Sequence, residues 1–200
     1  MTTSATAELA AMAARLVVDE GLDYARAKRK ALRALGSGSA RVELPSNEAV
    51  EDEVRDYLAL FQAETQPREL LALRELALTW LERLAEFRPH LGGAVWRGTA
   101  TRHSAVHIDL FADDPKSPEI ALLNLGVAYD AADVGSGARG EPQALLVLEA
   151  RVPGWPQPVP IFLSVCDHDD LRGALRPDAA GRSWRGDADA LTRLLAPSAP

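Results

Sequence analysis

The stretch 91–110, LGGAVWRGTATRHSAVHIDL, decides the fold class because the apolar period of the chain changes within it. Its last five residues, VHIDL, alternate apolar side chains with His107 and Asp109, which is the two-residue period of a half-buried strand. Residues 94–96 form a shorter apolar run that is a second strand candidate. We therefore expect a sheet to begin in this part of the chain.

Upstream of Pro89 the apolar residues repeat at helical spacing instead. The pattern predicts helices over 3–20 and 23–35, a third opened by residues 45–47 and a fourth beginning near Pro67. The fourth helix carries the most regular apolar stripe, which consists of Leu70, Leu73, Ala77, Trp80, Leu84 and Phe87. We expect an almost entirely helical first half and no strand before Pro89.

Downstream of residue 110 the strand-like period continues and is interrupted by one short helix. In chain order the pattern predicts a helix over 118–125, strands over 127–129, 144–152 and 159–165, a loop at 135–140, and a closing helix over 187–195. Helices followed by strands, rather than a regular alternation, are typical of an α+β fold. The prediction is a helical region over 1–88 and a small mixed β-sheet module over 89–200, together forming one compact unit.

Within 91–110, the glycine pair Gly92-Gly93 and the predicted strand 106–110 together resemble the signature of the nucleotidyltransferase superfamily. This superfamily includes polymerase beta and the antibiotic nucleotidyltransferases. That signature is an apolar residue, Gly, then Gly or Ser, a spacer, and an acid-apolar-acid-apolar strand. Leu91-Gly92-Gly93 matches its first part, and the spacer 94–106 leads to His107-Ile108-Asp109-Leu110. A second alignment uses Gly98-Thr99 as the glycine pair. The resemblance covers about residues 91–172 and implies a module of nucleotidyltransferase type.

This resemblance implies a phosphate-binding turn beside a metal-binding strand. Backbone N–H groups of a glycine turn can approach phosphates closely, and two carboxylates at positions i and i+2 of a strand share one face. Divalent metal on those carboxylates neutralises the triphosphate, so Mg²⁺ or Mn²⁺ with an NTP is the implied cofactor. The residues that the resemblance assigns to nucleotide binding are Gly92, Gly93, Arg97, Gly98, Thr99 and Ser104.

The acidic part of the signature is incomplete in this chain. His107 occupies the first carboxylate position, and imidazole is a poor ligand for Mg²⁺, which prefers oxygen. Asp109 keeps the second position, so the resemblance makes it a metal ligand and, with His107, a catalytic residue. The family supplies a third acid from a later strand, where this chain has Ile161 and Phe162. Glu149, on the preceding predicted strand, is the substitute metal ligand.

Two functional hypotheses follow, and they differ in whether transfer chemistry survives. In the first, the active site is divergent, transfer is impaired, no metal is needed, and the chain is a binding or regulatory module for a protein or nucleotide ligand. In the second, it is an active enzyme that transfers NMP from an NTP to a protein, RNA or small-molecule acceptor through a non-standard metal site. A third interpretation requires no function, because the outward face of any half-exposed strand carries polar residues.

A basic stretch in the second predicted helix is the candidate nucleic-acid surface. Helical spacing puts four cations on one face, namely Arg26, Arg29, Lys30 and Arg33. They predict weak RNA contact through phosphates, or a solvated face paired with the acids at 48–56. The cluster 166–170, CDHDD, is either a metal or nucleophile site or a solvated turn in which Asp169 or Asp170 caps a short helix.

Composition excludes several further classes of protein. Of 200 residues, 47% are hydrophobic and 26% charged, the balance of a globular protein that can bury a core. A net charge of −7 argues against general coating of nucleic acid. A single cysteine, Cys166, excludes an intramolecular disulfide, and no apolar run is long enough to span a bilayer. We therefore expect a cytoplasmic protein without membrane contact.

Overall fold

The computed structural model describes residues 2–36, 43–132, 142–177, 181 and 183–196. Backbone contacts divide the chain into two compact units. The first comprises 1–69 with 99–103, and the second comprises 70–98 with 104–200. The sequence-based division at residue 88 separates helices from strands, whereas the division by contacts falls inside the fourth helix.

The first unit is built on three helices, α1 (Thr2–Glu20), α2 (Tyr24–Ala34) and α3 (Asn47–Phe61), which confirms the helices predicted there. Asp23 caps α2 by accepting a hydrogen bond at 2.8 Å from the backbone N–H of Arg26. Ser46 caps α3 in the same way. Apolar side chains form the core of these helices and include Leu9, Ala13, Ala27, Val50 and Val54.

Segment 99–103 joins the first unit through side chains at the start of α4 (Gln66–Arg83). The carboxylate of Glu69 accepts hydrogen bonds from Nε and from the backbone N–H of Arg102, at 2.5 and 2.9 Å. Nε2 of Gln66 donates to the carbonyl of Ala100 at 3.0 Å. Both α4 side chains are buried, and these bonds satisfy their polar groups.

The fourth helix carries the predicted apolar stripe into the core of the second unit. Leu73, Ala77 and Leu84 are fully buried, and Trp80 is 4% exposed. The strands begin only after Pro89 in the described part of the chain, which confirms the predicted change of period. Local apolar spacing therefore determines where the helical part of this chain ends.

A five-stranded mixed sheet forms the centre of the second unit and makes the fold α+β, as predicted. Its strands are β1 (His90–Gly92), β2 (Val106–Ala112), β3 (Asp130–Ala132), β4 (Ala144–Ala150) and β5 (Val159–Asp167). Their order is β1-β2-β5-β4-β3, with β2 and β5 parallel and the other neighbours antiparallel. On one face Ile108, Leu163 and Leu146 lie in register and are fully buried. The opposite face carries His107 and Asp109.

Four short helices accompany the sheet, α5 (Gly93–Arg97), α6 (Ser117–Asn124), α7 (Leu171–Ala174) and α8 (Ala188–Leu195). The predictions over 118–125 and 187–195 are confirmed by α6 and α8. Asp170 precedes α7, but its side chain makes no capping hydrogen bond. Asp167 instead caps the 3-10 turn His168–Asp170, because its side chain accepts a hydrogen bond from the N–H of Asp169 at 2.8 Å. Among the described helices none is long and apolar enough to cross a bilayer.

The strand predicted at 94–96 is wrong, because these residues lie in α5 and the strand is β1, just before it. Gly93 turns the chain with φ +64°. The guanidinium of Arg74 then donates to the carbonyls of Val95 and Trp96 at 3.2 and 3.3 Å, which satisfies the end of this short helix. An apolar run of three residues fits a strand and a helix equally well, so the sequence could not distinguish them.

The strand predicted at 127–129 is also wrong, since β3 begins at Asp130. The N–H of Val127 still bonds to the carbonyl of Leu122 at 3.0 Å, so this residue belongs to the end of α6. Gly126 makes that ending possible with φ +68°. The loop predicted at 135–140 lies outside the described residues.

Candidate functional site

The pairing of β1 with β2 brings the predicted glycine pair beside the predicted metal strand. Gly92 pairs with His107, and His90 pairs with Asp109. His107 and Asp109 lie two residues apart on β2 and therefore share one face of the sheet. The two halves of the signature are thus neighbours in space.

Gly93 is required at the turn between β1 and α5. Its φ of +64° lies in the left-handed region, and a Cβ at this position would lie 3.3 Å from Cδ2 of His107. A side chain at residue 93 would therefore strain the backbone and lie in tight contact with the imidazole.

A cavity of about 450 Å³ opens over this turn. It is lined by Gly92, Gly93, Arg97, His107, Asp109, Trp184 and Arg185. The first five were predicted as site residues from the sequence, and the last two were not. Trp184 and Arg185 lie more than 70 positions beyond β2 in the chain, and no local pattern marks them.

Three other residues predicted to bind nucleotide do not line this cavity. Gly98 ends α5 in the left-handed region, with φ +82°. Thr99 is buried and belongs to the first unit. Ser104 is half-buried, just before β2.

Asp109, the one remaining carboxylate of the signature, forms an ion pair with Nε of Arg185. The aspartate side chain is 16% exposed and the arginine side chain 34%. Nη1 of Arg185 also donates to the carbonyl of Ala174 at 3.2 Å, which fixes the guanidinium plane. The charge that the signature reserves for a metal ion is therefore neutralised by a side chain of the same unit.

The backbone around Arg185 explains how it reaches Asp109. Leu91 and Gly186 exchange two hydrogen bonds, N–H to carbonyl in both directions, at 2.8 and 3.0 Å. Residues 183–186 thus extend along the free edge of β1. Nε1 of Trp96 donates to the carbonyl of Ser183 at 2.9 Å and ties the same segment to α5.

A second guanidinium, that of Arg97, also lines the cavity. Arg97, at the end of α5, lies over the ring of Trp184, with 4.1 Å between its Cζ and the ring centroid. This distance is typical of a cation–π contact, which helps to hold the guanidinium in place. Among the described residues, the cavity is therefore lined by the guanidiniums of Arg97 and Arg185 and by the carboxylate of Asp109.

The surroundings of His107 favour its neutral form. Its ring stacks on Phe162 with the centroids 5.1 Å apart and the planes at 11°. The residue retains solvent exposure, but partial desolvation of the ring lowers the pKa of His107 below its usual value, and the charge of Asp109 offsets this only in part. An uncharged imidazole adds no charge to the cavity.

Cys166, the single cysteine, lies on β5 in register with Phe111 of β2. Burial raises the pKa of the Cys166 thiol to about 11, and the charge of Asp109 adds to the shift. A thiol with this pKa is a poor nucleophile and a poor metal ligand at neutral pH. The cluster 166–170 accordingly has the geometry of the solvated turn, with Asp167 accepting from Asp169 and from Nε2 of Gln143.

The structure does not bring Glu149 to Asp109. Across β5, Asp109 pairs with Ser164 and Glu149 pairs with Pro160. With about 3.3 Å per residue and about 4.8 Å between strands, their α-carbons are roughly 16 Å apart, too far to share an ion. Phe162, at the position of the third acid, stacks on His107 instead.

The basic face of α2 is partly paired within the first unit. Arg26 forms an ion pair with Asp23 at 3.3 Å, and Lys30 forms one with Glu20 at 2.5 Å. These acids lie on either side of the loop that precedes α2 rather than in the predicted region 48–56. Contact with RNA through this face, which also includes Arg29 and Arg33, stays a prediction.

Within the described residues, no three His, Cys, Asp or Glu side chains are grouped so that they could hold a metal ion. Comparison with known family models, curated proteins and solved structures finds no match to this chain. The chemistry available to the cavity therefore has to follow from its own side chains. Among the described residues they are the guanidiniums of Arg97 and Arg185, the paired carboxylate of Asp109, the imidazole of His107 and the indole of Trp184.

Proposed function

We propose that this chain is a binding or regulatory module of nucleotidyltransferase type whose transfer chemistry is impaired. The observation that carries the proposal is the ion pair between Asp109 and Arg185. A divalent ion needs the negative charge and the oxygens of that carboxylate, and the guanidinium already neutralises the charge and occupies Oδ2. Two further observations support the proposal. The imidazole of His107 occupies the first acid position of the signature, and Phe162 occupies the third.

The ion pair weakens metal binding by an amount that can be estimated. A hydrogen bond to a charged group contributes about 1.5–3 kcal/mol, and a metal ion would have to replace the one between Asp109 and Arg185. Since 1.4 kcal/mol is a factor of ten, the affinity for a divalent ion falls roughly ten- to hundredfold from this pair alone. The missing carboxylates lower it further, because Mg²⁺ prefers anionic oxygen.

The test is transfer of labelled nucleotide from each NTP to the protein itself or to a mixed pool of RNA and protein. We expect no transfer with Mg²⁺ and at most a trace with Mn²⁺, which tolerates nitrogen ligands better. Asp109→Ala should give the same background as the parent protein. Robust Mg²⁺-dependent labelling that Asp109→Ala abolishes would refute the proposal and establish the active enzyme instead.

A titration of NTP binding, with Mg²⁺ and Mn²⁺ compared, complements the transfer assay. If the chain is a binding module, binding without transfer is the expected result. Binding that appears only when Mg²⁺ is present would point to an assembled metal site and contradict the impaired chemistry proposed here.

A further inference from the structure

The second unit has another cavity, of about 510 Å³, which is lined by the end of α4, the start of β1 and the start of α8. We call it the α8 cavity. Its apolar walls are formed by Leu81, Ala85, Pro89, Leu171 and Ala188. Among the described residues it shares no lining residue with the cavity over the glycine turn. Its volume lies within the range of sites for small organic molecules.

The imidazole of His90 gives this cavity a hydrogen-bond acceptor. His90 is 7% exposed, and its Nδ1 lies 2.9 Å from the carbonyl of Arg88. Because a carbonyl only accepts hydrogen bonds, Nδ1 carries the proton, and Nε2 of the neutral ring is an acceptor. Among the described residues, none donates to Nε2, and none has a buried side-chain nitrogen or oxygen without a partner. Nε2 is therefore accessible, and the space that reaches it is the α8 cavity, which His90 lines.

Two contacts fix the direction of this acceptor. The ring of His90 meets the ring of Phe111 edge to face, with the centroids 5.7 Å apart. The carbonyl that holds Nδ1 belongs to Arg88, whose φ of +45° lies in the left-handed region that is unfavourable for arginine. The surrounding structure therefore holds this carbonyl in place against the imidazole. A buried acceptor with a fixed direction is complementary to a ligand that donates a hydrogen bond.

The charged side chains of the α8 cavity favour a cation. They are the exposed carboxylates of Glu82, Asp187 and Asp189, against the single exposed guanidinium of Arg88. Asp187 and Asp189 also begin α8, where acids stabilise a helix, and Oδ1 of Asp187 accepts from the N–H of Ala190 at 2.8 Å. The acids alone therefore identify no ligand. Beside a buried acceptor, however, they attract a donor that carries positive charge.

We propose that the α8 cavity binds a small organic amine, whose ammonium group donates a hydrogen bond to Nε2 of His90 and whose hydrocarbon part packs on the apolar walls. An ammonium group combines N–H donors with a positive charge, so it satisfies the imidazole and the carboxylates together. Binding here uses neither Asp109 nor the glycine turn. The inference therefore goes beyond the proposed function and does not depend on it.

The experiment is a ¹H–¹⁵N NMR titration of the full chain with three probes of one shape. They are 2-(2-naphthyl)ethylamine, its N,N,N-trimethyl derivative and 3-(2-naphthyl)propionate. We expect the amine to bind and to shift the amide signals of Leu171 and Ala188, which line the cavity. The trimethyl cation has no N–H donor, so it should bind about tenfold more weakly or worse. The carboxylate should show no binding, because it is repelled by the acids and cannot donate.

The ring nitrogens of His90 report on the hydrogen bond directly. A long-range ¹H–¹⁵N spectrum should show Nδ1 protonated and Nε2 bare, and the amine should shift the Nε2 signal. His90→Phe keeps a ring against Phe111 but removes the acceptor. It should weaken binding of the amine about tenfold or more and leave the amine and its trimethyl derivative nearly equal in affinity.

Variants at exposed carboxylates keep the test decisive even if His90→Phe fails to fold. Replacing Glu82 by Gln and Asp189 by Asn together should weaken the amine roughly two- to fivefold at low salt, because exposed charges contribute little each. Glu86→Gln is the matched control, since Glu86 is exposed near Glu82 but lies outside the cavity lining. That variant should leave binding unchanged.

Several results would overturn the inference. They are no binding of the amine, equal binding of all three probes, tighter binding of the carboxylate, or an unchanged affinity for the amine in a folded His90→Phe. Loss of affinity in Glu86→Gln equal to that in the Glu82 and Asp189 double variant would also overturn it. Labelled nucleotide transfer that depends on Asp109 refutes only the proposed function, so the two failures are distinguishable.

Discussion

Replacing Gly186 by Ala tests the packing that brings Arg185 to Asp109. Gly186 is buried at the edge of β1, and a Cβ there would lie 2.0 and 2.2 Å from ring carbons Cη2 and Cζ3 of Trp96. Carbon atoms pack at about 3.5–4.0 Å, so the indole would have to move by roughly 1.5 Å or more. Because the φ of Gly186 is not positive, the substitution adds this steric conflict without backbone strain.

The cost follows from what that movement breaks. Overpacking costs about 1–3 kcal/mol, and loss of the hydrogen bond from Nε1 of Trp96 to Ser183 adds about 1 kcal/mol. The sum, roughly 2–4 kcal/mol, lowers the thermal midpoint by about 5–15 °C in a chain of this length. The displaced segment also carries Arg185, so the ion pair with Asp109 should weaken together with stability.

Thermal unfolding followed by circular dichroism measures this cost, with Gly173→Ala as the matched control. A Cβ on Gly173 in α7 has no heavy atom within 4 Å, so that variant should unfold within a few degrees of the parent. In a Trp96→Ala background the cost of Gly186→Ala should largely vanish, because the two residues are in contact. An unchanged midpoint for Gly186→Ala, or an equal loss in both backgrounds, would refute the packing of Trp96 on Gly186.

Three other perturbations test the core, the imidazole and the thiol. Trp80→Ala should cost about 3–5 kcal/mol by chemical unfolding, because this large side chain is 4% exposed, and an unchanged midpoint would show that the α4 stripe is misassigned. The pKa of His107 is lowered in the folded protein, so the unfolded chain takes up the proton first. Stability should therefore fall as the pH drops below about 6.5, and His107→Gln should reduce that fall in unfolding titrations at several pH values. Cys166, with its pKa raised to about 11, should react with iodoacetamide at pH 8 on the order of a hundredfold more slowly than an ordinary thiol. Asp109→Asn should accelerate that reaction, and an ordinary rate in the parent would contradict the burial of Cys166.

The sequence by itself determined the elements whose signal is local. The spacing of apolar residues changes from the helical period to the two-residue period within 20 residues of Pro89. In the described part of the chain the strands likewise begin only after Pro89. The helix starts predicted near residues 23, 45–47 and 187 agree with the structure, in which Asp23, Ser46 and Asp187 each accept a hydrogen bond from a backbone N–H three residues further along. The short run 94–96 was misassigned because three apolar residues span less than one period of either pattern.

Part of the candidate site could also be predicted from the sequence. The glycine pair and the strand of 91–110 lie close together in the chain, and antiparallel pairing of β1 with β2 brings Gly92 directly beside His107. Proximity in sequence made that juxtaposition predictable, since segments joined by a short connection usually lie side by side.

Only the tertiary structure decided what Asp109 faces. Its parallel partner strand β5 begins at Val159, 50 residues later, and its ionic partner Arg185 lies 76 residues away. That contact depends on the backbone bridge between Leu91 and Gly186, which exists because Gly186 leaves room for the ring of Trp96. Apolar periodicity specifies the buried face of each element but not its neighbour, so the cation that neutralises the one remaining carboxylate is set by packing between distant segments.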